Sequence, residues 1–156
     1  MNKNDSFGFK VFIIVLSIVI VATLGSLFVS LGTNWFNGLT KPSEWIPSFI
    51  IPIVWTIIYL TFIIILSLWV KQTNIPKNII VLLIINGILN VLWCLTFFAL
   101  NLLFIGNIVI IINLVFAFYL ISQILKENKL FGYIFSIYPI WISIATTLNT
   151  CLWILN

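Results

Sequence analysis

The run from residue 78 to 125, NIIVLLIINGILNVLWCLTFFALNLLFIGNIVIIINLVFAFYLISQIL, decides the fold, because Lys77 and Lys126 enclose it and no charge interrupts it. The hydrocarbon core of a bilayer is about 30 Å thick and takes roughly 20 apolar residues per helix. The run is too long for one crossing and suits two, with a reversal near Ala99 to Leu103 and Asn101 as the turn residue. A transmembrane barrel strand alternates apolar and polar positions. Stretches such as Val109 to Ile112 are apolar on every side, so the spans are helices, whose backbone groups bond within the segment.

The other charges sit at Lys3, Asp5 and Lys10, at Lys41 and Glu44, at Lys71, and at Glu127 and Lys129. Each remaining uncharged gap has room for one span. The expected helices cover about 9–31, 49–70, 78–98, 102–125 and 132–155, a single domain over 1–156. The fold class is an all-α integral membrane protein, a bundle of five transmembrane helices. A composition 63% hydrophobic and 6% charged, with mean hydropathy +1.28, fits lipid as the solvent.

An odd number of spans collects Lys3, Lys10, Lys71, Lys77, Lys126 and Lys129 on one side and leaves Lys41 on the other. The positive-inside rule then places the N-terminus in the cytoplasm, and the first loop and C-terminus on the outer face. The absence of arginine and the scatter of lysines over short loops argue against nucleic acid as a partner. A lysine-only, isoleucine- and asparagine-rich sequence points to an AT-rich bacterial genome, hence a plasma membrane. The first apolar run exceeds a signal h-region and no A-x-A-like site follows, so it reads as a retained anchor. Without histidine or a cluster of cysteines and carboxylates, no metal and no cofactor are expected, and Cys94 and Cys151 read as small packing residues.

The connection GTNWFNGLTKPSEWIPS (32–48) is unlike the other linkers. Pro42 and Pro47 deny helix continuation. Trp35, Phe36 and Trp45 suit either an aromatic belt at the headgroups or the roof of a cavity. On the third helix Asn86, Asn90, Trp93 and Phe97 share one face. Trp141, Ala145, Leu148, Asn149 and Leu152 form a similar face on the fifth, and Trp55 and Tyr59 lie one turn apart on the second. An amide facing hydrocarbon is unfavourable, so these faces point inward. Singly, the asparagines read as hydrogen-bond glue between helices, as Asn107 and Asn113 do on the fourth. Together with the aromatics they read as a mostly apolar pocket with a few placed polar groups. Ala22, Ser26 and Ser30, with Gly25 beside them, give the first helix a small-residue stripe for close packing within the bundle or between subunits.

These residues resemble the translocator protein / tryptophan-rich sensory protein family (TspO/MBR). The family's loop pattern W-Y-x-x-L-x-K-P-x-W-x-P-P…W-x-x-x-Y is similar to Trp35, Phe36, Leu39, Lys41, Pro42, Trp45, Pro47, Trp55 and Tyr59. Its N-x-x-x-N matches Asn86 and Asn90, and its closing W-x-x-x-A-T-x-L-N matches Trp141, Ala145, Thr146, Leu148 and Asn149. Phe36 replaces the usual tyrosine, the loop tryptophan falls one position late with Glu44 in its place, and one of the paired prolines is missing. Pro139 stands closer to Trp141 than usual, and a cholesterol-recognition pattern is absent at the C-terminal end. The resemblance implies a five-helix bundle, commonly a homodimer, whose cavity opens under the first loop. It also implies a flat hydrophobic ligand, a porphyrin above all. The implied lining includes Trp35, Phe36, Trp55, Asn86, Asn90, Trp141 and Ala145, and Lys41 can pair with a propionate at the mouth.

The leading expectation is a receptor or carrier that regulates tetrapyrrole level or a stress response. Light-dependent porphyrin degradation is an alternative, and its chemistry would be radical or photochemical, since no Asp, Glu, His or Lys lies at depth within a span. A proton-coupled exporter fails for want of an intramembrane carboxylate. A ligand-free scaffold would show a core filled solidly by side chains.

Overall fold

The computed structural model describes residues 3–43, 46, 47 and 49–156, with side chains from Ser6 onward; Glu44 and Trp45 of the loop motif lie outside this set. The chain folds as α1 (Lys3–Gly38), α2 (Ile50–Gln72), α3 (Lys77–Cys94) with a π-helical continuation at Leu95–Ala99, α4 (Leu103–Glu127), α5 (Lys129–Phe135) and α6 (Ile137–Leu155). Five helical stretches are long and apolar enough to cross a membrane: Ser6–Gly38, Ile50–Gln72, Lys77–Ala99, Leu103–Glu127 and Lys129–Leu155. The chain is a multi-pass membrane protein.

Three boundaries differ from the sequence expectation by three residues or more: α1 begins at Lys3 rather than Phe9, and its end and the start of the fifth span also move. Helix α1 does not stop at Leu31 but runs on to Gly38, so Trp35 and Phe36 are helical rather than loop residues. Gly32, placed by the sequence expectation at the start of the loop, is a helical contact point instead. A Cβ there would lie 2.6 Å from the Phe98 carbonyl carbon and 2.9 Å from its Cα, so only glycine lets α1 pass the π segment. The helix ends where Lys41 folds back, its Nζ donating to the carbonyls of Phe36 (3.0 Å) and Asn37 (3.3 Å), a cation at the negative end of the helix dipole.

The fifth span begins at Lys129 rather than Gly132, because the Asn128 side chain accepts a 3.0 Å hydrogen bond from the Phe131 N–H and caps α5. It bends at Ser136, between α5 and α6. Pro139 has no N–H for the Phe135 carbonyl, and its ring crowds that oxygen. The reversal between the third and fourth spans falls where expected: Asn101 adopts φ 58°, the left-handed region that asparagine tolerates. The Leu100 N–H donates to Leu95 O (2.9 Å) and the Leu102 N–H to Thr96 O (3.0 Å), which closes the π turn.

The helices close a ring in the order α1, α2, α5 with α6, α4, α3 and back to α1; α2 and α3 make no close backbone contact with each other. Outward faces carry Ile53, Ile57, Leu60, Ile64 and Leu68 on α2, and Ile80, Ile84 and Ile88 on α3. In water such stripes would be a large unpaired apolar surface; in hydrocarbon they are the matching one.

At the loop end the Asn156 side chain bridges both polar groups of Thr40, its Oδ1 accepting from Thr40 N (2.8 Å) and its Nδ2 donating to Thr40 O (3.0 Å). Asn156→Ala is expected to speed exchange of the Thr40 amide about fivefold, the worth of one ordinary hydrogen bond, with little change in global stability. Unchanged exchange of that amide would show that other contacts hold the loop.

Candidate functional site

The inward face of α3 is buried along its length: Asn86 is 3% exposed, Asn90 7%, Trp93 7% and Phe97 1%. An amide at this depth needs a partner, and α4 and α6 supply them. Asn86 Nδ2 donates to Asn113 Oδ1 (2.8 Å), Asn113 Nδ2 to Asn90 Oδ1 (3.1 Å), and Asn90 Nδ2 to the Tyr138 hydroxyl (2.9 Å). That hydroxyl donates weakly back to Asn113 Oδ1 at 3.4 Å. One turn toward the loop a second group forms, in which Trp93 Nε1 donates to Asn149 Oδ1 (3.1 Å) and Asn149 Nδ2 to Asn107 Oδ1 (3.4 Å). The Thr150 hydroxyl also donates to Asn107 Oδ1, at 2.9 Å. The glue expected of Asn107 and Asn113 is present, and Asn113 is the hub that the sequence did not single out. Tyr138 is the other addition. It sits three residues before Trp141 on the stripe already read on the fifth span, and that periodicity was the signal available for it.

Aromatic rings join α2 to α3 where their backbones stay apart. Tyr59 and Trp55 stack at 5.6 Å and 29°, Trp55 and Trp93 at 6.5 Å and 28°, Trp93 and Phe97 at 6.1 Å and 26°. These are offset, near-parallel rings. Toward the loop, Trp35 meets Phe97 edge-on at 5.7 Å, and Phe36 packs on Phe97 (6.3 Å) and Phe98 (5.3 Å). The helical end of α1 thus covers the π segment.

Below these rings lies a cavity of about 960 Å³ between α1, α2 and α3, closed on the inner side by Tyr138. Of the residues singled out from the sequence, Trp55, Tyr59, Asn86 and Asn90 are on its wall. Trp93 and Phe97 stand behind Trp55 in the ring stack. Trp35, Phe36, Trp141 and Ala145 pack in the adjoining core around Trp93, Phe97 and Ile142. Asn149 is held by Trp93 and Asn107, Leu148 is half-buried beside it, and Lys41 caps α1. Among the described residues the buried indole N–H of Trp141 has no hydrogen-bond partner. No group of metal-ligating side chains occurs among the described residues.

The buried amide ladder, the indole stack and the apolar hollow stand on helices that known proteins can be compared with. Residues 13–154 match the family model described as the TspO/MBR family. The chain belongs to the TspO/MBR family. It is also 28% identical over 126 residues to Protein CrtK of Rhodobacter capsulatus, a match covering 78% of each chain. Within this TspO/MBR protein the matched range takes in every wall residue of the aromatic and amide end of the cavity. It begins at Ile13, after Lys10.

Proposed function

We propose that the chain is a membrane receptor or carrier for a flat hydrophobic ligand of the porphyrin class, acting in the regulation of tetrapyrrole level or in a stress response. Members of the TspO/MBR family bind tetrapyrroles and other hydrophobic ligands. The observation that carries the reading is the 960 Å³ hollow with Trp55, Tyr59, Asn86, Asn90 and Tyr138 on its wall. Its volume is at the upper end of the roughly 300–1,000 Å³ usual for small-molecule sites, and a core with such a hollow is not the solid packing of a scaffold. Trp55 and Tyr59 offer flat apolar area to a planar ring, and the amides offer donors and acceptors to its polar edge. The N–H of Trp141, unpaired among the described residues, is a further buried donor in the core cluster against which Trp55 packs. On the loop side Lys41 spends two N–H groups on the end of α1 and keeps a third for a ligand carboxylate.

The same reading places the lysine-rich ends in the cytoplasm and the protein in a homodimer. Support for the dimer comes from Ser26 and Ser30, which face outward on α1 while Gly25 faces in against Cys94.

The test is a titration of the purified protein in detergent with protoporphyrin IX, followed by quenching of tryptophan fluorescence. Trp55→Ala is expected to raise Kd about tenfold, since aromatic stacking contributes about 0.5–1.5 kcal/mol beyond area burial. Trp55→Phe should restore most of the affinity. Trp153→Ala, on the outer face of α6 against Phe104, should change nothing. A Trp55→Ala curve superimposable on the wild type removes the reading.

A further inference from the structure

The hollow is longer than the chamber that a flat ligand would use. Its wall runs along α1 from Phe28, beside the aromatic end, down to Lys10. At a rise of 1.5 Å per residue that is about 27 Å. The acyl chains of one leaflet span only about 15 Å, half the hydrocarbon core. Away from Trp55, Asn86 and Asn90 the wall is mostly aliphatic, with Ile14, Ile18, Leu66 and Leu83 on three helices and the Ser17 hydroxyl among them. The rings on that half are Phe9 and Phe62, and its amide is Asn74 at the rim.

Among the described residues the charge on this wall belongs to Lys10. Lys10 stands at the far end, partly buried, and its Nζ donates to Asn74 Oδ1 at 2.7 Å, so the loop between α2 and α3 holds the ammonium at the rim. The ammonium has two further N–H groups, and the Asn74 amide nitrogen can donate as well. The rim is also open sideways. Phe9 (62% exposed), Ile80 (42%) and Ile84 (57%) line the cavity and face the membrane at once. An apolar hollow offers water too few partners to fill it, whereas an acyl chain can enter from the bilayer without leaving hydrocarbon.

We propose that the aliphatic half of this cavity is a lipid site, which takes an acyl chain of an anionic phospholipid from the leaflet on the Lys10 side and holds the headgroup phosphate at Lys10 and Asn74. The two ends of the hollow then have separate occupants, a chain below and a flat ring above.

Native mass spectrometry of the purified full chain, delipidated in detergent, tests this with dioleoyl phosphatidylglycerol and dioleoyl phosphatidylcholine as probes. One phosphatidylglycerol per chain should bind, about fivefold more tightly than phosphatidylcholine, the preference expected from one lysine beside an anionic headgroup. Lys10→Gln should reduce phosphatidylglycerol to the phosphatidylcholine level. Lys129→Gln, exposed at the same membrane side but off the cavity wall, should leave the preference intact. Ser17→Phe, which fills the tube, should weaken both lipids alike. Equal binding of the two lipids by the wild type overturns the proposal, as does an equal loss in Lys10→Gln and Lys129→Gln, which would mean diffuse surface attraction. No porphyrin is present in this titration, so its failure leaves the receptor reading standing.

Discussion

Gly32→Ala is expected to unseat the loop end of α1, lowering stability by about 3 kcal/mol, the upper part of the range for overpacking a close contact. The added methyl would overlap the Phe98 carbonyl oxygen and lie 2.6 Å from its carbon and 2.9 Å from Cα. Those are backbone atoms, locked inside the π turn that Leu100 N and Leu102 N close onto Leu95 and Thr96. They cannot rotate away as a side-chain tip can, so α1 must move. Trp35 and Phe36 would then lose their edge contacts with Phe97 and Phe98. The measurement is unfolding in detergent followed by circular dichroism, beside Gly25→Ala as the matched control. There the new methyl meets only Cys94 Sγ at 3.5 Å, an ordinary contact, and alanine favours helix by about 1 kcal/mol over glycine. If Gly32→Ala were as stable as Gly25→Ala, the close approach of α1 to the π segment would be wrong.

The same glycine shows where reading the sequence stops. The spans were legible because hydrocarbon thickness and charge placement are one-dimensional constraints, and the uncharged run at 78–125 admits one division, at Asn101. Helix ends were less legible, because they depend on partners far along the chain. Gly32 looks like a terminus in sequence and becomes a packing notch only when Phe98 is placed beside it. Asn128 and Pro139 did carry their local signals, a cap and a break, but Gly132, three residues into the apolar run, drew the expected start of the fifth span past its cap.

The candidate site divides on the same line. Periodicity alone put Asn86, Asn90, Trp93 and Phe97 on one buried face. It could not tell which amides would line a hollow and which would be consumed by neighbours, since that is decided by which helices are adjacent. The ring order brings α4 behind α3, so Asn113 meets Asn86 and Asn90 from the far side, while α2, kept apart from α3, leaves room in front. The cavity exists because Trp55 reaches Trp93 across a gap that backbone does not fill. No spacing in a single segment encodes that separation.

Asn113 is the position where this arrangement is most exposed to a single substitution. It is fully buried, accepts from Asn86 Nδ2 and the Tyr138 hydroxyl, and donates to Asn90 Oδ1. Interhelical hydrogen bonds in membranes average about 0.6 kcal/mol and reach about 1.7. Asn113→Leu keeps the volume and removes three such bonds, so a loss of about 2 kcal/mol is expected. Asn86→Leu removes one of them and should cost about a third as much. The loss is larger than the average when freed groups find no water, and here Asn86, Asn90 and Tyr138 have only the hollow to turn toward. Asn113→Leu should therefore also change protoporphyrin affinity, although Asn113 is not on the cavity wall. A double-mutant cycle between Asn86 and Asn113 by detergent unfolding isolates their shared bond. A coupling energy near zero, or equal losses for the two single variants, would mean that the amides are independent neighbours and that the cavity wall is set by packing alone.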